Sequence, residues 1–102
     1  MSGTLNPYRH QYETVAASQT NQVLGGTGAV GDFLHRIVVN VTTTATSAFS
    51  LIDGSTTILS VANSVLANGQ YTYEFNMASQ NGAWKITTGA GVTVIGVGTF
   101  TQ

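Results

Sequence analysis

The sequence predicts an all-β fold, a small antiparallel jelly-roll-like β-sandwich with an extended N-terminal arm. Three observations carry this. Apolar and polar residues alternate with period two through several short runs, the period of a strand with one buried face. Gly, Asn and Asp steps punctuate those runs, giving about seven or eight strands at intervals of about 8 to 12 residues, the spacing of a sandwich or barrel. No stretch is long and periodic enough for a major helix, although residues 62–67 have the composition of a single helical turn.

The elements follow in chain order. Residues 1–18 hold the single Pro, Pro7, the cluster Arg9, His10 and Glu13, and no sustained apolar period, so they read as the arm. Extended, eighteen residues reach about 60 Å, enough to cross onto a neighbouring subunit, and Tyr8 and Tyr12 supply side chains that can anchor there. Residues 19–102 form the sandwich domain. In the run 32–41, Phe33, His35, Ile37, Val39 and Val41 fall on one face and Leu34, Arg36, Val38 and Asn40 on the other. Both faces carry apolar side chains, which predicts a strand covered on both sides. Residues 48–53 and 56–61 flank Asp53-Gly54-Ser55, a hairpin signal in which the Asp-Gly step supplies positive φ. Tyr71, Tyr73, Phe75 and Met77 alternate with Thr72, Glu74 and Asn76 in an amphipathic strand with an aromatic inner face. Trp84, Ile86 and Thr88 share a face of the next strand. In the last, 92–100, Gly96 and Gly98 lie with Val94 and Phe100 and leave room for a large side chain such as Trp84 or a Tyr.

Charge separates this chain from ordinary domains. Lys and Arg number three and Asp and Glu four among 102 residues, 7% charged, against about 25% in a typical soluble domain. Such a surface is kept wet by Thr, Ser, Asn and Gln or is pressed against other proteins, which points to assembly. The net charge of −1 leaves no basic footprint for nucleic acid. The absence of Cys removes thiolate chemistry, disulfides and the common structural zinc sites. No run approaches about 18 apolar residues, so no membrane helix is expected. The N-terminus lacks the basic and apolar regions of a secretory signal, which predicts synthesis in a cytoplasm.

The motifs that suggest chemistry each meet a physical objection. Gly26-Thr27-Gly28-Ala29-Val30-Gly31 matches G-x-G-x-x-G with Asp53 downstream, but the motif binds a pyrophosphate only where a helix begins inside it, and here strand-like residues 33–41 follow. A flexible corner is the expected role. His10 and His35 stand 25 positions apart with no carboxylate cluster at ligand spacing, so no metal or other cofactor is expected. A Ser with His35 and Asp32 makes no identifiable triad, and the four carboxylates are scattered. No catalytic residue is assigned, and the chain is expected not to be an enzyme. Asn40-Val41-Thr42 fits the N-glycosylation acceptor by chance in a chain without a secretory signal. The rings of Tyr71, Tyr73, Phe75 and Trp84 fit a core role better than a sugar-binding platform, because they alternate with polar residues. The Thr-rich stretch 42–47 reads as a solvated loop or edge.

At Gly28-Ala29-Val30-Gly31-Asp32-Phe33-Leu34-His35-Arg36-Ile37-Val38-Val39, and again at Gly82-Ala83-Trp84-Lys85-Ile86-Thr87-Thr88-Gly89-Ala90-Gly91-Val92-Thr93-Val94, the sequence resembles small structural proteins of tailed bacteriophages, above all capsid decoration, or cement, proteins. The resemblance spans residues 25–100 and leaves the arm outside it. It implies a homotrimer on the outer capsid surface of the virion, seated between major capsid proteins. The contacts expected are Leu34 and Val38 with other copies of the chain, and Tyr8, Arg9 and Tyr12 with the capsid. Related β-modules occur in phage fibres and spikes, so a receptor- or glycan-binding module is the alternative, and it predicts a solvent-exposed cluster of aromatic rings.

Overall fold

The computed structural model describes residues 11–102; Tyr8, Arg9 and His10 lie outside the described residues. Eight strands follow one another: β1 (Gln11–Val15), β2 (Gln22–Val23), β3 (Phe33–Val41), β4 (Phe49–Asp53), β5 (Thr56–Val61), β6 (Gly69–Ala78), β7 (Trp84–Thr88) and β8 (Val92–Thr99). The one helical element among the described residues is a 3-10 turn at Thr44–Thr46, inside the Thr-rich stretch. Residues 62–67 form turns.

The pairing is nested. β1 pairs with β8, β2 with β7, β3 with β6 and β4 with β5, all antiparallel, as in a long four-layer hairpin closed by the β4–β5 turn. Rolling that hairpin up brings β3 against β8 and β4 against β7. Two four-stranded sheets result, sheet A in the order β1-β8-β3-β6 and sheet B in the order β2-β7-β4-β5. This is the topology of an eight-stranded jelly roll.

β1 lies within the segment expected to be an arm. Residues 11–15 are a full member of sheet A, so the described part of residues 1–18 belongs to the sandwich. Its inward-facing positions Gln11 and Glu13 are polar, which masks the alternation, and both are used. The Gln11 Oε1 accepts the Phe100 N–H at 2.9 Å, and the Glu13 carboxylate accepts the Gly25 N–H at 2.8 Å and a Gln22 amide N–H at 3.1 Å.

β3 contains the main departure from the simple alternation. Its register against β8 steps between Leu34 and Arg36, leaving His35 as an extra residue. A bulge of this kind exchanges the faces of residues on one side of it. Beyond it Ile37, Val39 and Val41 point inward as expected; before it Leu34, not Phe33, enters the core. Gly98, opposite Leu34, has no room for a side chain, because a Cβ there would meet the Phe33 carbonyl and the Phe100 ring. The space over Gly96 is taken by Leu24, within 2.8 Å of where a Cβ would stand. The side chains that fill the room above these glycines are therefore Leu24 and Phe100, not Trp84 or a Tyr.

The core is built mainly by the inner strands of both sheets. Its fully buried apolar residues come from β1, β3, β4, β7 and β8 with Leu24 and Phe100, and none from β5 or β6. Leu59, Val61, Tyr71, Tyr73, Phe75 and Met77 face inward and pack on the core but stay half-buried. Trp84 is buried, and its Nε1–H donates to the Asp32 carbonyl at 2.9 Å.

The hairpin after Asp53 forms as expected, with the positive φ on Gly54 (+62°) alone. Glycine at the first central position is what a type II′ turn requires. Asp53 stays in the strand, and its buried carboxylate accepts the N–H groups of Gln80 and Asn81 at 2.9 and 3.1 Å. Asp32 plays the same part at the β2–β3 loop, accepting from the Ala29 N–H (3.0 Å), the Thr101 N–H (2.9 Å) and the Thr101 hydroxyl (2.6 Å). Asp32→Ala strands these donors, each partly buried, and is expected to lower unfolding free energy by about 2 to 3 kcal/mol; urea denaturation measures this.

Candidate functional site

Three of the four acidic residues, Glu13, Asp32 and Asp53, bind loop or strand-edge N–H groups. They act as internal staples, which explains why they are scattered in sequence. Asp32 is committed to residues 29 and 101. The G-x-G-x-x-G segment is a loop between β2 and β3, closed by N–H donation from Thr27 and Gly28 to the Thr101 carbonyl at 3.2 and 3.0 Å. A strand follows it, and Gly28 (φ +65°) is required because a Cβ there would run into Ala83. Among the described residues no three His, Cys, Asp or Glu side chains gather as a metal site, and no helix is long and apolar enough to cross a membrane.

The outer surfaces of the two sheets differ in chemistry. On sheet A the register lines up Tyr12, Val97, Arg36 and Glu74 in one row across the four strands, and Thr14, Ile95, Val38 and Thr72 in the next. Val97, Ile95 and Val38 form an apolar centre, and Tyr12 stands 74% exposed at its β1 edge. Asn40 and Gln70 continue the face, with a Gln70 amide N–H donating to the Asn40 Oδ1 at 3.0 Å.

Sheet B presents hydroxyls. Thr87 accepts the Asn21 N–H at 2.9 Å and donates to the Asn21 Oδ1 at 3.2 Å, and the hydroxyls of Ser50 and Ser60 approach to 3.5 Å. Ile52 and Val23 flank Lys85 in the adjoining row. Four loops, residues 16–21, 42–48, 62–68 and 89–91, gather at one end through bonds such as Ser18 N–H to Gly89 O (3.1 Å) and Thr44 Oγ1–H to Asn68 Oδ1 (2.7 Å). These loops contain no charged residue and no His.

The residues expected to make contacts are distributed as follows. Val38 lies at the centre of the outer face of sheet A, and Tyr12 lies on the same face two strands away, about 10 Å at the usual strand spacing. Leu34 is 0% exposed. The β3 bulge turns it into the subunit's own core, so it is removed from the candidate contacts. Ile95 and Val97 belong to the face although the sequence reading did not single them out. The signal was present: β8 alternates Val92 and Val94 with Ile95 and Val97 on either side of a strand whose two faces are both apolar.

No family model and no curated protein sequence matches this chain. Among solved structures, the chain is similar to the Tobacco streak virus coat protein dimer, at 11% identity and a TM-score of 0.36 over 97% of this chain and 91% of that one. A second crystal form of the Tobacco streak virus coat protein gives 10% identity and a TM-score of 0.34, over 93% and 88% of the two chains.

Proposed function

We propose that this chain is a structural virion protein, a capsid decoration or cement protein that binds the outer capsid as a homo-oligomer and stabilises contacts between major capsid proteins. The observation that carries this reading is the outer face of sheet A. Val38, Ile95 and Val97, each half-buried, form an apolar centre on this face, and Tyr12 lies beside it. Apolar centres rimmed by polar residues are the usual anatomy of an interface. With self-association centred on Val38, trimeric as the resemblance implies, Tyr12 reaches the capsid from the rim; Tyr8 and Arg9, outside the described residues, are the other capsid contacts proposed. Linked copies gain avidity, since after the first contact the others are effectively intramolecular. A protein that binds the assembled shell and not its parts stabilises the shell by mass action. The glycan-binding alternative needs a cluster of exposed rings; among the described residues the inner-face rings of β6 pack on the core, while Tyr12 is the large aromatic that is widely exposed.

The test is cosedimentation of the purified chain with phage heads stripped of their own decoration protein. Saturable binding together with a higher rupture temperature of the heads is expected. Absence of binding, with affinity for host polysaccharide instead, overturns the reading in favour of the fibre module. Val38→Glu places an unpaired charge in the apolar centre and is expected to weaken self-association about 10- to 100-fold while leaving the fold intact, because Val38 faces outward. Sedimentation velocity with circular dichroism checks both. So few charges also predict association that changes less than about threefold between low and high salt.

A further inference from the structure

We infer that the outer edge of β6 is a second self-association surface, on which β6 of one copy pairs antiparallel with β6 of another about a two-fold axis at Thr72. Among the described residues β6 is the longest of the four edge strands, ten residues against five for β1, two for β2 and six for β5. A long edge with unpaired backbone groups recruits another strand unless Lys, Pro, strong charge or a bulge blunts it. β6 carries no Lys, Arg or Pro, and its one charge is Glu74. Its register against β3 shifts beyond Glu74, where Asn76 takes φ +51°, and Gly69 at its start takes φ +149°. Between these the stretch 70–74 is regular. Beneath it the sandwich is not closed: Tyr71 and Tyr73 of β6 and Leu59 and Val61 of β5 pack on the core but stay half-buried.

The residues on β6 select the partner and the register. Continuity of inner and outer faces across a two-fold pair requires residues of the same face to oppose each other. With Thr72 on the axis, Thr72 meets Thr72 of the partner subunit. Gln70 then meets Glu74 of the partner subunit on the outer face, and Tyr71 meets Tyr73 of the partner subunit on the inner face. Each is a favourable cross-strand pair: hydroxyl with hydroxyl, amide donor with carboxylate, ring with ring. The Gln70 amide has a second N–H free for the carboxylate after bonding Asn40. The only charge on the strand thus falls opposite a hydrogen-bond donor and not opposite itself. Two copies joined in this way share one eight-stranded sheet, and the Val38 face runs continuously across both.

Single cysteines read the register directly, because the chain has no Cys of its own. Thr72→Cys puts the two thiols on opposing residues with Cα atoms about 4.5 to 5.5 Å apart, inside the range a disulfide needs. Gln70→Cys puts the two thiols about 13 Å apart along the strands, beyond it. Mild oxidation of the full-length chain is expected to convert the Thr72→Cys variant to a disulfide dimer at least tenfold faster than Gln70→Cys or the β5 control Ser60→Cys. Circular dichroism confirms that all three are folded. Equal rates for the three, or no dimer from Thr72→Cys, overturns the inference. Binding to phage heads is scored separately, so failure here and failure of the virion reading are distinguishable.

Discussion

Replacing Trp84 by Ala is expected to cost about 3 to 5 kcal/mol of folding free energy, the range for truncating a large buried aromatic side chain. Trp84 is 1% exposed and is the largest fully buried side chain. It sits at the start of β7, opposite Asp53 of β4, and its Nε1–H holds the Asp32 carbonyl at the entry to β3. Losing it opens a cavity and frees the loop that Asp32 closes. A domain of this size is stable by about 5 to 15 kcal/mol, so the variant retains only a fraction of its margin. Trp84→Phe keeps most of the volume and loses the hydrogen bond, with an expected cost of about 1 to 2 kcal/mol. Because Trp84 is the only tryptophan, denaturation must be followed by far-ultraviolet circular dichroism. Equal costs for the two variants would show that the hydrogen bond, not the packing, dominates.

The second large effect separates two neighbours on β3. Leu34→Ala is expected to lose about 2 to 5 kcal/mol and Val38→Ala less than about 1 kcal/mol, because Leu34 is enclosed by its own subunit while Val38 faces outward. In oligomer measurements the order reverses: Val38 substitutions weaken association, and Leu34 substitutions act only through stability. Urea midpoints paired with sedimentation distinguish the two readouts. Similar stability costs at both positions would contradict the bulge at His35.

That bulge marks the limit of what was legible in the sequence. Period-two alternation identified β3 to β8 within a residue or two, because their inward positions are apolar and their turns carry Gly, Asn or Asp. β1 was hidden: its inward Gln11 and Glu13 are polar, serving as acceptors for Phe100 and Gly25, so the strand looked like part of an arm. β2, two residues long, is too short to show any period. The face of Leu34 was misread because strict alternation has no term for an extra residue, and the crowding at Gly98 that accompanies it is a contact 64 positions away in sequence. The apolar outer face of β3 was visible as a strand with hydrophobic residues on both sides. Its partners Ile95 and Val97 required the register of β8 to place them beside Val38.

The low charge likewise became interpretable only with the fold. Glu13, Asp32 and Asp53 are spent on loop and strand-edge N–H groups, and the four loops at one end of the sandwich hold no charge at all. The outward-facing charged residues on the two sheets are Arg36 and Glu74 on sheet A and Lys85 on sheet B. A surface of that kind offers little electrostatic steering and little repulsion between copies, the conditions under which an apolar patch of modest size decides association.

Sedimentation equilibrium of the full-length chain from micromolar to millimolar concentration, with Val38→Glu run in parallel, tests the assembly role most directly. The outer face of sheet A predicts oligomers for the unaltered chain and a shift toward monomer for Val38→Glu. A strictly monomeric chain over that whole range, indistinguishable from the variant, would contradict it.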